Sequence, residues 1–447
     1  MARDADQPRS FGVAVVGCGT IGGATATLLT RDRALLDRRI RPRLELRHVV
    51  DLDFTHAREL GLDEALLTDD LDAALNDPDT GAVAELIGGT TVAREVVERA
   101  VRAGKHVVTA NKALLAHHGR ALYALARQHG VCIAFEASCG GGIPIVRALT
   151  DGLIANRIDA LYGIVNGTCN YILTAMTWED RTYADALSAA QRDGLAEADP
   201  TLDVSGTDSA HKLAILASLA FGRSIDVDAI PVAGIDKLAL EDVTYGRELG
   251  YVVKLLAIAQ QHDDGLSLHV RPAFITQEHP LAWIAGPFNA VSVYGHATGH
   301  TMYYGRGAGG APTASAVVAD LASVAMGTAP RIFEQLPFWT DRAEPATQLP
   351  LNAARMRYYL RLTALDRPGV LAQMASVLGA HGISIYSVLQ REPAQPGGAP
   401  RHVPVVITTD QAEEGKVRRA LSEIDALDVI EPGSVCIGIV DEHPEAL

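Results

Sequence analysis

"FGVAVVGCGTIGGATATLLT", residues 11–30, opens on a short apolar run rich in β-branched side chains, passes through glycines, and continues as small residues with helical spacing. Gly17, Gly19 and Gly22 form G-x-G-x-x-G at the strand-to-helix turn, with Thr20 and Ile21 between them. The first glycine permits the tight turn and the second lets backbone approach a pyrophosphate. The third lets helix and strand pack closely, with the helix N-terminus facing the phosphates. Glycines spaced this way also mark plain loops, but between a strand and a helix they read as a dinucleotide site.

Working outward, "LELRHVVDLD" (44–53) is a second strand ending at Asp51. A carboxylate there accepts hydrogen bonds from ribose hydroxyls and repels a 2′-phosphate, which favours NAD over NADP. "GAVAELIGG", "KHVVTANK" and "VCIAFEAS" supply three more buried strands, and "TTVAREVVERAVRAGK" supplies a helix expected to carry a threonine cap and to close at Gly104. Strands alternating with helices imply a parallel sheet. Residues 1–138 therefore read as a Rossmann-type doubly wound α/β domain. "GRGAGGAPTASAVVADLASVAM", within 305–340, reads as a glycine turn and small-residue helix that packs back on it.

Residues 139–304 read as a mixed α/β substrate and dimerisation domain. The proline-bearing, polar, aperiodic stretch 341–354 reads as a linker. Residues 355–447 follow the order βαββαβ, with "DRPGVLAQMASVLGAHG" as a capped helix, and fit a ferredoxin-like domain.

Composition narrows the function. Of 447 residues, 48% are hydrophobic and 21% charged, as in ordinary soluble domains. No apolar run reaches the length of a membrane span, and the polar start "MARDADQPRSFG" has no signal core, so a cytoplasmic protein without a membrane partner is expected. Five cysteines without C-x-x-C spacing read as reduced packing thiols. A net charge of −15 argues against nucleic acid. His296 and His300 lie in a glycine-rich, non-helical stretch and do not read as a metal pair.

"GLAEADPTLDVSGTDSAHKLAILA" (194–217) carries the chemistry. Glu197, Asp199, Asp203 and Asp208 precede the single Lys212, and an apolar run follows. Asp208 and Lys212, four apart, share one helix face. An exposed pair of this kind would be worth only a few tenths of a kcal/mol. This helix is apolar over most of its length, however, so the lysine needs carboxylate partners to stay charged. A partly desolvated lysine held by acids can donate a proton to a carbonyl oxygen during hydride delivery.

"EASCGGGIPIV", "GIVNGTCNYIL", "ELIGG…GKHVVTANKALL" and the 194–217 segment together resemble homoserine dehydrogenase, in the right order through about residues 11–330. "TALDRPGVLAQMASVLGAHGISI" resembles the ACT domain appended to many bacterial members. The resemblance implies NAD(P)-dependent interconversion of L-homoserine and L-aspartate 4-semialdehyde. Lys212 matches the acid–base residue, and Glu197, Asp203 and Asp208 match acids that bind the substrate or orient that lysine. Gly167 and Thr168 match positions at the amino-acid end of the substrate, and Lys112 a lysine between cofactor and substrate. Gly89, Thr90, Gly307 and Gly309 fall near the cofactor. Glu136 with the carbonyls of Cys139, Gly141 and Ile143 matches a monovalent cation site, usually sodium. Asp366, Pro368 and Gly369 sit where ACT domains commonly bind amino acids, with threonine the effector implied and a homodimer or homotetramer expected.

Many relatives carry an arginine just before the acid of the second strand. Here that position is Val50, with Arg58 further on. Two other readings compete: an amino-acid-sensing regulatory protein with a vestigial dehydrogenase, and a dehydrogenase for another small semialdehyde.

Overall fold

In the computed structural model, described over residues 10–391 and 402–444, the first layer is a sheet of six parallel strands. These are β1 (Ser10–Val16), β2 (Arg43–Val50), β3 (Leu67–Thr68), β4 (Thr80–Glu85), β5 (His106–Thr109) and β6 (Ile133–Ala134), in the order β3-β2-β1-β4-β5-β6. The start of the chain and the glycine/proline stretch "PAQPGGAP" lie outside the described residues. Strand order reverses between β1 and β4, where open α/β sheets bind ligands beyond their carboxyl ends.

Sterics explain the glycines of the turn. Gly17 has φ +93°, and a Cβ there would come within 2.8 Å of the Leu86 backbone. A Cβ on Gly22 would lie 1.8 Å from the Gly17 carbonyl oxygen, so only glycine lets the Thr20–Arg31 helix sit this close to its strand.

The Val92–Arg102 helix lacks the expected side-chain cap. Thr91 stands at its N-cap with backbone already in the helical region, and its hydroxyl makes no cap bond. Gly104, at φ +72°, follows its end. The Gly310–Ala325 helix returns to the first layer. A Cβ on Gly310 would lie 3.1 Å from the Thr20 carbonyl oxygen, so small residues let the two helices meet.

The second sheet contains β7 (Ile158–Ile164), β8 (Tyr251–His262), β9 (Gly265–Thr276), β10 (Phe288–Gly295) and β11 (Gly299–Arg306). The C-terminal unit adds β12 (Arg355–Leu365), β13 (Ile385–Gln390), β14 (His402–Thr409), the short β15 (Ala412–Glu413) and β16 (Ile430–Ile439), with helices Val370–Ala380 and Glu414–Ile424. Its order, βαββαβ apart from β15, is ferredoxin-like, and Tyr358, Leu360 and Leu362 alternate along β12 into a core with Val370 and Met374. The Val370–Ala380 helix starts at Gly369, φ +90°, again without the expected side-chain cap.

The two units share one sheet, in the order β11-β10-β7-β8-β9-β16-β12-β14-β13. β16 lies parallel to β9, pairing Gly438 with Ala273 and Ile439 with Phe274. The junction is buried and ionic. Asp242 accepts from the Arg361 guanidinium at 2.5 and 2.9 Å and from the Tyr359 hydroxyl at 3.0 Å, while Arg271 donates to Glu414 at 2.8 Å. The stretch read as a linker is strapped down: the Ser224 and Leu266 amides donate to the carbonyls of Glu344 and Thr347 at 2.8 Å. Trp339, just before it, is buried against Tyr123, Phe135 and Phe333. Among the described residues no single helix is long and apolar enough to cross a membrane.

Candidate active site

The Thr207–Phe221 helix is buried from Asp208 to Leu219 apart from His211, so the Lys212 side chain is about nine-tenths buried. Its Nζ donates to the Val165 carbonyl and to Asp208 Oδ2, both at 2.7 Å. The other Asp208 oxygen, Oδ1, lies 3.1 Å from Lys112 Nζ. The Asn166 side chain donates to Asp203 at 2.8 Å and to Asp208 at 2.9 Å. Burial alone would raise the Asp208 carboxyl, but the Lys212 and Lys112 ammoniums outweigh it and hold the group well below the usual carboxylate range. Asp208 in turn raises Lys112 above an ordinary lysine, against the effect of burial.

Lys112 is placed by the ends of β4 and β5. Glu85, fully buried, accepts from the amides of Ile87 and Gly88 at 2.9 and 3.3 Å and from the Thr109 hydroxyl at 2.7 Å. Asn111 caps the Lys112–Gln128 helix through the Leu114 amide and donates to the Gly89 carbonyl at 2.6 Å. That bond ties the Gly89–Thr90 turn to the lysine.

A cavity of about 160 Å³ opens beside Asp208, lined by Lys112, Asp203 and Asp208 but not by Lys212, with Glu197 and Asp199 exposed at its mouth. Thr168 donates to the Leu195 carbonyl at 2.7 Å, anchoring the segment that carries Glu197. A Cβ on Gly167 would lie 2.7 Å from the Pro287 carbonyl oxygen, so the start of the Gly167–Glu179 helix accepts no larger residue without a shift.

A second cavity, of about 440 Å³, lies at the carboxyl ends of β1, β2 and β4, lined by Gly17, Gly19, Asp51, Leu52 and Ile87. A Cβ on Gly19, the N-cap of the Thr20–Arg31 helix, would meet nothing within 4 Å, which leaves the helix terminus open to an anion. Asp51 accepts from the Cys18 amide with one oxygen, and from the amides of Leu52 and Asp53 at 2.7 and 3.2 Å with the other. Arg58 is held by Glu64 through two bonds of 2.8 and 3.2 Å.

Residues 17–136 match the homoserine dehydrogenase NAD binding domain, residues 144–322 the homoserine dehydrogenase domain, and residues 358–426 the ACT domain. A homoserine dehydrogenase of Pseudomonas aeruginosa is 44% identical over 419 residues, which is 93% of this chain and 95% of that protein. The chain belongs to the homoserine dehydrogenase family. The crystal structure of a homoserine dehydrogenase from Thiobacillus denitrificans matches with a TM-score of 0.89 at 41% identity, covering 97% of this chain and 99% of that one. A hyperthermophilic archaeal homoserine dehydrogenase, solved in complex with NADPH, shares the fold at a TM-score of 0.60 and 23% identity, over 71% of this chain and 98% of that one.

In this homoserine dehydrogenase the loop of Cys139, Gly141 and Ile143 packs on the returning glycines. A Cβ on Gly141 would lie 2.6 Å from the Gly307 carbonyl group, and Gly309, φ +114°, starts the Gly310–Ala325 helix. The Glu136 carboxylate is already engaged, accepting from the amides of Val146 and Arg147 at 2.9 Å each. Burial, then Asp320, pushes its carboxyl up to about 7. The Ile143 carbonyl accepts from the Ile145 amide at 2.8 Å and keeps one lone pair. Among the described residues no group of three or more His, Cys, Asp or Glu side chains could hold a metal ion. Asp366, Pro368 and Gly369 lie exposed at the turn between β12 and the Val370–Ala380 helix, in the ACT unit and outside both cavities.

Two residues escaped the sequence reading. Glu85 had a signal, a lone carboxylate inside an apolar strand. Asn166 had another, an asparagine at a helix start.

Proposed function

We propose that Lys212 is the acid–base group of this homoserine dehydrogenase, in the interconversion of L-aspartate 4-semialdehyde and L-homoserine. Gly17–Gly22 would hold a nicotinamide cofactor, which would supply or accept the hydride. The observation that carries this reading is the count of protons on Lys212: an ammonium has three N–H bonds, and Val165 and Asp208 take two. The third is available to the aldehyde oxygen, which becomes the hydroxyl as hydride reaches carbon. Asp208 accepts from Lys212 and orients it, while Lys112, on the other oxygen of Asp208, lines the cavity. Glu197 and Asp203 would receive the substrate ammonium and hydroxyl, and Gly167 and Thr168 its amino-acid end.

NAD is the preferred cofactor in this reading and NADP the second. Asp51 brings negative charge to the groove, Val50 is buried, and Arg58 is committed to Glu64. A sodium ion would be held by Glu136 with the carbonyls of Cys139, Gly141 and Ile143. The ACT unit would take threonine near Asp366, Pro368 and Gly369. Assembly as a homodimer or homotetramer is supported by exposed Trp283, Met302 and Tyr304, and a cytoplasmic setting by five free thiols.

The test is a spectrophotometric assay with homoserine and each cofactor, threonine added or withheld. Near-normal turnover in Lys212→Ala removes that lysine from the mechanism, and a strong preference for NADP overturns the role given to Asp51.

A further inference from the structure

We infer that Asn166 is a positioning residue that sets the geometry of the acidic pair Asp203 and Asp208 around Lys212. The inference rests on the acid–base reading of Lys212. Asn166 is buried, and both ends of its amide are in use. Its carbonyl oxygen accepts from the Cys169 amide at 2.9 Å and caps the Gly167–Glu179 helix. That bond fixes which end of the side chain is which, so the amide nitrogen must face the carboxylates. An NH₂ group has two donors. One goes to Asp203 Oδ1 at 2.8 Å and the other to Asp208 Oδ2 at 2.9 Å, the oxygen that also receives Lys212.

Two consequences follow. Asp203 and Asp208 share one neutral donor, which holds the two carboxylates in a fixed relation to each other. The backbone also links both partners of Lys212. Val165 offers its carbonyl directly, and the next residue, Asn166, holds the carboxylate that makes the second bond. One turn of chain between β7 and the Gly167–Glu179 helix therefore aims the ammonium.

A helix cap alone does not account for this residue. Capping needs only an acceptor, and serine or aspartate provides one. The donor half of the amide plays no part in the cap. Other titratable groups near the pair are Lys112, which meets the second oxygen of Asp208, Cys169, whose thiol donates to the Asp203 carbonyl at 3.2 Å, the buried thiol of Cys139, His211 on the Thr207–Phe221 helix, and Glu197 and Asp199 in the cavity wall.

The experiment compares Asn166→Ser and Asn166→Asp, which both keep a capping acceptor, with the parent enzyme. Measurements are kcat, the KM of nucleotide and of homoserine, the pH profile of kcat, and Tm. Asn166→Ser is expected to lower kcat about tenfold to a hundredfold, with nucleotide KM within about twofold and Tm little changed. Asn166→Asp adds a third carboxylate, and its acid limb should move up by about one pH unit. A kcat within about twofold of the parent in Asn166→Ser, or an unmoved acid limb in Asn166→Asp, reduces Asn166 to a cap and overturns the inference. Failure of the underlying reading shows elsewhere, as near-normal turnover in Lys212→Ala.

Discussion

Lys112 and Lys212 stand on the two oxygens of one carboxylate, that of Asp208, at 3.1 and 2.7 Å. They arrive from different halves of the molecule. Lys112 starts the helix after β5 of the nucleotide layer, and Lys212 lies in the Thr207–Phe221 helix. A single anion therefore ties the nucleotide layer to the Thr207–Phe221 helix.

Removing the amine tests the chemistry. Lys212→Ala should lower kcat by about 10²–10⁴, the usual worth of a general acid. Nucleotide affinity should hold, since the groove at Gly17–Gly22 and Asp51 does not include Lys212. Stopped-flow hydride transfer with fluorescence titration of the nucleotide separates the two.

Removing the anion tests the scaffold. Asp208→Asn leaves Lys212 buried without a counter-ion, and breaking such a pair costs about 3–5 kcal/mol. The Asp208 carboxyl is depressed in the folded state, so its contribution is complete above the unfolded value near 4 and fades only as pH falls towards the folded one. Denaturant melts of the variant at pH 7 should show the whole loss, with a gap to the parent that is unchanged down to about pH 5. A variant as stable as the parent would contradict the assignment.

His269 sets acid sensitivity. It lies fully buried in β9 with no partner at either ring nitrogen among the described residues, and burial, then Arg271, holds it down to about 3. The unfolded chain binds a proton near 6.5, so between these values unfolding takes up a proton and stability falls as pH falls. The slope is about 1.4 kcal/mol per pH unit. His269→Leu should flatten this part of the Tm-against-pH curve between pH 6 and 4. An unchanged slope would place the acid lability elsewhere.

The junction with the ACT unit carries its own prediction. Glu414→Ala strands the buried Arg271 guanidinium and should cost about 3–5 kcal/mol, read as a lower denaturation midpoint. Because β9 and β16 belong to one sheet, that loss should appear in a single transition, seen equally by probes in either unit.

Local features of this fold were legible and distant pairings were not. The glycine turn and the i,i+4 spacing of Asp208 and Lys212 depend on residues a few positions apart, and the structure has the parallel sheet and the buried helix they imply. The meeting of β9 with β16 joins residues near 273 and 438, and nothing in either strand's alternation names its neighbour. The 341–354 strap is held by backbone bonds, which composition does not reveal, and the burial of Trp339 depends on aromatic partners from distant elements. At the site, Lys212 stood out because an amine beside apolar residues demands a partner. Asn166 did not, since its cap was visible in principle and its donor bonds require the fold.

The helix Gly310–Ala325 closes over the Thr20–Arg31 helix, so the nucleotide layer borrows a part that the ribosome makes long after the rest of it. A nascent chain halted before that point has every strand of the sheet and an open flank. The flank of the nucleotide layer is thus completed only once residues 310–325 have been made and the chain between has brought them back to the Thr20–Arg31 helix.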